Sequence, residues 1–255
     1  MRNLLDRHKN RKSIADTEVL LSGNARNVAK YIEGSVKTLY QCFGDFKKVH
    51  CLIIESDSID DTVPILQNLK ENFQNFEFIS FGNLSKRLSK RTERLAFCRN
   101  EVINQVRSNP LYKNVDLIAL ADLDGVNSDL TPTKIADCWA LGVNWDVITA
   151  NQGDIYYDIW ALRHPDWSPT DCIEQSHKLE KLFGENAANN LAVWAKMIHI
   201  SKTRPLIPVD SAFGGFGIYK KAAFLAGSYN GLNERGGEIC EHVAYHQKIR
   251  DAGYS

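Results

Sequence analysis

Four short apolar runs recur through the first half of the chain, and each ends in polar residues. EVLL (18–21) leads into Ser22-Gly23-Asn24, VHCLII (49–54) into Glu55-Ser56-Asp57, and DLIALA (116–121) into Asp122-Leu123-Asp124; FEFISF (76–81) lies between the last two. Runs of this length bounded by turn residues predict buried strands. Between the first two, Val28, Ile32, Val36, Leu39 and Phe43 recur at helical spacing. DSIDDT (57–62) is a cluster of turn and cap residues. It predicts that Asp60 or Asp61 caps a helix over 63–73 with Pro64 in its first turn. A basic helix is predicted from about Leu84 to Val106. Strands alternating with helices predict an α/β fold with a mostly parallel central sheet flanked by helices, and such sheets bind ligands beyond the carboxyl ends of their strands. From about Ile148 the alternation is lost. An aromatic, loop-rich stretch (156–170) precedes a helical one (177–197). The expected organisation is a polar segment over 1–17 and one domain over 18–255, with a first half over 18–147 and a second over 148–255.

Composition narrows the function classes. The 255 residues are 44% hydrophobic, and 31 Lys and Arg balance 31 Asp and Glu. A neutral chain lacks the basic excess of a non-specific nucleic-acid binder. No apolar run approaches the roughly 18 residues that span a bilayer, and the basic start has no signal-peptide core. Six scattered cysteines form no C-x-x-C pair, which predicts reduced thiols and a cytoplasmic protein. A basic helix leaves room for peripheral contact with the cytosolic face of a membrane.

Several clusters carry candidate chemistry. In ALADLDG, two aspartates one residue apart lie on the same side of an extended chain. Asp122 and Asp124 therefore suit a hard cation, Mg²⁺ or Mn²⁺, with sites left open for a diphosphate; the same residues also suit an ordinary strand-end turn. Glu55 and Asp57 end the second strand, where a carboxylate can accept from a nucleoside. In KRLSKRTERLAFCRN, Lys86, Lys90 and Arg94 share one helical face, and the helix delivers Arg99 and Asn100. Such a run is either a solvated face or an attractor for phosphate. SAFGGFG (211–217) permits close backbone approach at Gly214 and Gly215, but it is neither a dinucleotide fingerprint nor a P-loop. Glu238, Glu241, His242 and His246 crowd a predicted helix, with Glu238 and His242 on one face. They are candidate bases or metal ligands.

In their order, NVAKYIEGSVKTL, IIESDSIDDT, RLAFCRN, ADLDG, FGGFGIYKKAAF and CEHVAYHQKIRDAGYS resemble the segments of GT-A glycosyltransferases of the family-2-like branch. YYDIWALR and CEHV are similar to fungal capsule-associated α-mannosyltransferase relatives. The resemblance implies the GT-A fold and transfer of a sugar from a UDP- or GDP-linked donor to a hydroxyl of a glycan or glycolipid. It implies Asp122, Asp124 and His242 around Mn²⁺ or Mg²⁺, with Ser22, Gly23, Arg26, Glu55, Asp57, Arg94, Arg99 and Asp122 on the nucleotide. Tyr157, Asp158, Trp160, Arg163, Gly214 and Gly215 fall on the sugar and acceptor side, and Glu241 and His242 face the acceptor hydroxyl. The chain departs from the family in two ways. His242 stands where inverting members carry their aspartate base, which leaves inverting and retaining chemistry both open. Ser255 comes before the family's last core strand and its metal-binding histidine, so either the chain is a piece of a larger protein or His242 or His246 supplies the third metal ligand. A nucleotidyltransferase of related architecture and a catalytically inactive GT-A module are the alternatives; the first is disfavoured because LLSGNARN has one glycine.

Overall fold

The computed structural model describes residues 12–141, 143–153, 155–201 and 203–255; the first eleven residues of the expected polar segment lie outside this set. Four strands form where the apolar runs predict them: β1 (Glu18–Ala25), β2 (Lys48–Glu55), β3 (Phe76–Ser80) and β4 (Leu117–Ala121). They pair in parallel, with β1 between β2 and β4. Two further strands, β5 (Val147–Thr149) and β6 (Phe216–Lys220), extend the sheet past β4 in the order β3-β2-β1-β4-β6-β5. Both β4–β6 and β6–β5 are antiparallel. The α/β class and the mostly parallel central sheet are as expected; the antiparallel pair comes from the half where the alternation fades.

Helices cover both faces of the sheet. Successive strand residues point to opposite sides, so Val19, Leu21 and Ile53 join one core with residues of α1 (Ile32–Cys42), α2 (Thr62–Asn72) and α4 (Pro132–Ala140). Leu20, Leu52, Ile54, Ile118 and Leu120 join the other with α3 (Arg91–Ser108), α7 (Lys221–Ala226) and α8 (Glu241–Asp251). A smaller core holds Tyr156, Ile159, Leu162 and Cys172, the last opening α5 (Cys172–Phe183), which packs on α6 (Glu185–Ala192). Each such aliphatic side chain, fully buried, contributes about 1.5–3 kcal/mol. All six cysteines are free thiols.

Three local expectations are corrected. The first helix starts at Ile32 rather than near Asn27, because Asn27 takes a left-handed φ of 52° and the amides of Val28 and Ala29 donate to Thr62 Oγ1 and Asp60 Oδ2. The basic helix starts at Arg91, after a short turn at Leu84–Lys86. Arg94 donates to the carbonyls of Leu88 and Ser89, which a continuous helix would need, so Lys86 and Lys90 share no helical face with Arg94. Glu238 precedes α8 and accepts from the amide and hydroxyl of Thr92. At the helix start of α2, Asp60 accepts from the amide and hydroxyl of Thr62, while Asp61 makes no side-chain cap.

Candidate active site

A cleft of about 400 Å³ opens beyond the carboxyl ends of β1, β2 and β4, where the strand order reverses. It brings together ten of the residues singled out in the sequence: Arg26, Arg94, Arg99, Asp122, Asp124, Tyr157, Asp158, Trp160, Glu241 and His242. Arg91 joins them, giving four arginines against four carboxylates in a chain with no net charge.

The aspartate pair is held by its backbone. The Asp122 amide donates to Gly215 O at 2.8 Å, and Asn127 Nδ2 donates to the carbonyls of Asp122 and Gly215, each at 2.9 Å. Leu123, between the aspartates, is buried in the core. Gly23 lies directly beneath: a Cβ there would sit 2.4 Å from Ala121 O and 2.9 Å from Leu123 Cδ1. Asp124 projects outward and accepts from the Val126 amide. Burial pushes the Asp122 carboxyl up to about 6, and Asp124, Asp158 and Glu241 add to the rise against the opposing pull of Arg99.

Arg99, on α3, organises the far wall. Its Nη1 donates to Glu241 Oε1 at 2.6 Å and also meets His242 Nε2; its Nη2 lies 3.8 Å from Asp122 Oδ1. The guanidinium stands over Phe213 and Tyr229, a stacking that suits its planar cation. Arginine only donates, so His242 Nε2 accepts and Nδ1 carries the proton. That Nδ1 is buried without a partner. Burial, then Arg99, holds the ring well below its ordinary pKa, and the ring stacks on Phe213 at 4.0 Å. The lone pair that a base or a metal ligand needs is thus engaged by Arg99. His246 is likewise satisfied by Ser211 Oγ and Tyr219 OH, each at 2.9 Å.

Other expected residues sit outside the cleft lining. Glu55 is buried, and its oxygens accept from the Ser58 amide and the Ser80 hydroxyl. Asp57, at a left-handed φ of 61°, accepts from the Ser85 amide and lies 3.6 Å from Arg94 Nε. Ser22 donates to Leu52 O inside the sheet. Arg163 pairs with Asp171 at 2.8 Å and donates to the Trp160 and Leu162 carbonyls. These residues build the floor and the loops. Gly214 and Gly215 have left-handed φ of 62° and 82°; the Gly214 amide donates to Asp158, and a Cβ on Gly215 would meet Tyr157 OH at 3.1 Å.

The loops beyond β1 and β2 are laced together. The Ile59 amide donates to Asn27 Oδ1 and the Asn27 amide to Ser58 Oγ, beside the Val28–Thr62 and Ala29–Asp60 bonds. Arg91 belongs to the basic run that the sequence offers as an attractor for phosphate; Phe213, Asn127 and Gln152 were missed. Phe213 stands next to the glycine pair and Asn127 three residues after Asp124, and those neighbourhoods were the available signal.

The donor set suits a hard divalent cation: two oxygen ligands with coordination sites to spare. Among the described residues, no three His, Cys, Asp or Glu side chains gather to hold a metal, so further ligands would come from a bound molecule. No described helix is long and apolar enough to cross a membrane.

No protein-family model matches the chain, and no curated protein matches it. Solved structures similar to it include TarS residues 1–349 from S. aureus, at 12% identity over 91% of this chain with a TM-score of 0.49. The mannosyltransferase PcManGT from Pyrobaculum calidifontis, in complex with GDP-Man and Mn²⁺, is similar at 13% identity over 96% with a TM-score of 0.44. Glucosyl-3-phosphoglycerate synthase from Mycobacterium tuberculosis, in complex with UDP, is similar at 12% identity over 85% with a TM-score of 0.36. The chain spans 55%, 57% and 64% of these three chains.

Proposed function

We propose that the chain is a GT-A-type glycosyltransferase that moves a sugar from a UDP- or GDP-linked donor to a hydroxyl of a glycan or glycolipid. The observation that carries the reading is the placement of Asp122 and Asp124. A buried parallel strand delivers both to the rim of the cleft where the sheet reverses its order, beside a fixed arginine. Asp122 and Asp124 would hold Mn²⁺ or Mg²⁺. Bound there with a nucleotide sugar, the cation supplies Lewis-acid stabilisation of the departing diphosphate.

The chain's own residues do the rest. Glu241 and His242 grip Arg99, so its guanidinium is in place beside Asp122 before charge develops there, and preorganisation of this kind costs nothing at the moment of reaction. In this reading the pair acts by positioning Arg99. Arg26, Arg91 and Arg94 line the same cleft and offer countercharge to phosphate. Tyr157 and Trp160 offer ring faces to a pyranose. The laced loops at Asn27–Ala29 and Ser58–Thr62 border the nucleoside side.

Calorimetry with UDP and GDP, with and without Mn²⁺, together with donor hydrolysis, tests the reading. Metal-linked nucleotide binding is expected, and Asp122→Asn or Asp124→Asn should abolish it and turnover while the chain stays folded. Wild-type turnover in either variant would overturn the assignment. Absence of any metal-linked nucleotide binding would favour an inactive binding module.

A further inference from the structure

One hydrogen-bond relay near the cleft is unused by the reading above. Gln152, just past β5, donates from Nε2 to Asn127 Oδ1 at 3.1 Å and to Gly214 O at 2.7 Å. Asn127, in the turn after the aspartate pair, donates in turn to the carbonyls of Asp122 and Gly215. The relay has one direction. Asn127 must aim its NH₂ at two carbonyls, which leaves its oxygen to accept from Gln152, so neither amide can be reversed without facing acceptor with acceptor. Asn127 is buried, and a missing donor there takes the side-chain bond from Asp122 O and leaves Gly215 O with the Asp122 amide alone. The segments it ties are the end of β4, the glycine pair before β6, and the exit of β5. A Cβ on Gly214 would lie 2.4 Å from Ala150 O, so these segments also touch by backbone.

We infer that Asn127 and Gln152 are positioning residues that set the pitch of the Asp122–Asp124 strand end against the Gly214–Gly215 loop, coupling the metal grip to the sugar-side wall. The inference rests on the proposed glycosyl-transfer site. Neither side chain needs to touch a ligand. They act as outer partners of a metal site do, and loss of such partners weakens metal affinity about 10- to 100-fold. The Gln152 link carries a second effect: when it is cut, Gly214 O loses its donor while Gly215 O keeps the Asp122 amide and Asn127, so the loop loosens at Gly214 and the donor KM rises.

The test is Mn²⁺ binding followed by electron paramagnetic resonance on the full chain, with Asn127→Asp, Gln152→Ala and Asp122→Asn in parallel with wild type. Donor KM and kcat are measured on the same samples. Asn127→Asp keeps the outline but places a carboxylate oxygen against two carbonyls; it should weaken Mn²⁺ about tenfold or more. Gln152→Ala should weaken Mn²⁺ less and raise donor KM more than it lowers kcat, with Gln152→Asn no substitute for the longer side chain. Unchanged Mn²⁺ affinity in Asn127→Asp, where Asp122→Asn loses it, overturns the inference and leaves the metal reading standing. Should Asn127→Asp fail to fold, wild-type Mn²⁺ affinity and wild-type donor KM in Gln152→Ala overturn it. Mn²⁺ binding that survives Asp122→Asn overturns the metal reading itself, and the inference with it.

Discussion

Replacing Arg99 with methionine tests how the cleft wall is held. The side chains of Arg99 and Glu241 are 11% and 5% exposed and meet at 2.6 Å. Arg99→Met keeps much of the apolar stem and its packing against Phe213 and Tyr229, but it strands a buried carboxylate and removes the donor to His242. Taking one partner from a buried pair costs about 3–5 kcal/mol. For a chain of this size each kcal/mol lowers the midpoint by about 2–4 °C, so Arg99→Met should melt roughly 6–20 °C below wild type by the same conversion. The measurement is thermal unfolding of wild type, Arg99→Met, Glu241→Gln and the double variant in metal-free buffer. The double variant removes both charges and should recover most of the loss, because the cost lies in the unpaired charge rather than in the absence of the pair. The reasoning is refuted by an Arg99→Met midpoint within about 2 °C of wild type, or by a double variant as unstable as the sum of the singles.

Two further outcomes follow from the strand end. Asp122 has a carboxyl raised to about 6, so above that pH the metal-free chain carries a charge its surroundings disfavour. Asp122→Asn should therefore raise the metal-free melting midpoint at pH 8; the gain should shrink as the pH falls through about 6 and disappear only below the ordinary carboxyl value of 3.8, where the unfolded chain is protonated too, and a gain as large below 3.8 as at pH 8 contradicts this. Gly23→Ala forces a Cβ against Ala121 O at 2.4 Å, and overpacking of this kind costs about 1–3 kcal/mol. Displacement of β4 should also weaken Mn²⁺ binding, and unaltered Mn²⁺ affinity in a folded variant would show that Gly23 does not set the aspartate pair.

The four parallel strands were readable because each carries a short, mostly apolar run ending in polar residues; burial on both faces sets that pattern in β1, β2 and β4, whereas β3, at the sheet edge, keeps it while only partly buried. β6 was hidden because Phe216–Lys220 follows directly on a glycine pair and reads as loop, and β5 because three residues are too few to show a period. The aspartate pair was readable for a local reason, since its two members need only a strand end. The partners of Arg99 were not. Glu241 and His242 lie 142 and 143 residues away, and nothing in either segment announces the other. Arg163 and Glu55 show the converse: each has the right residue type near the right motif, yet partners in adjoining segments, Asp171 for one and Ser80 for the other, take up the side chain.

The reversal of β6 has a consequence for how such a chain can be altered. Because this strand runs against β4, its entrance lies at the ligand rim, with Phe216 beside Ala121, and its exit lies at the other end, with Lys220 beside Leu117. Extra residues inserted ahead of Phe216 would grow over the cleft and reshape what it admits. The same residues inserted after Lys220 would grow from the opposite pole, where a dye or an affinity handle can report on the molecule without meeting its ligand.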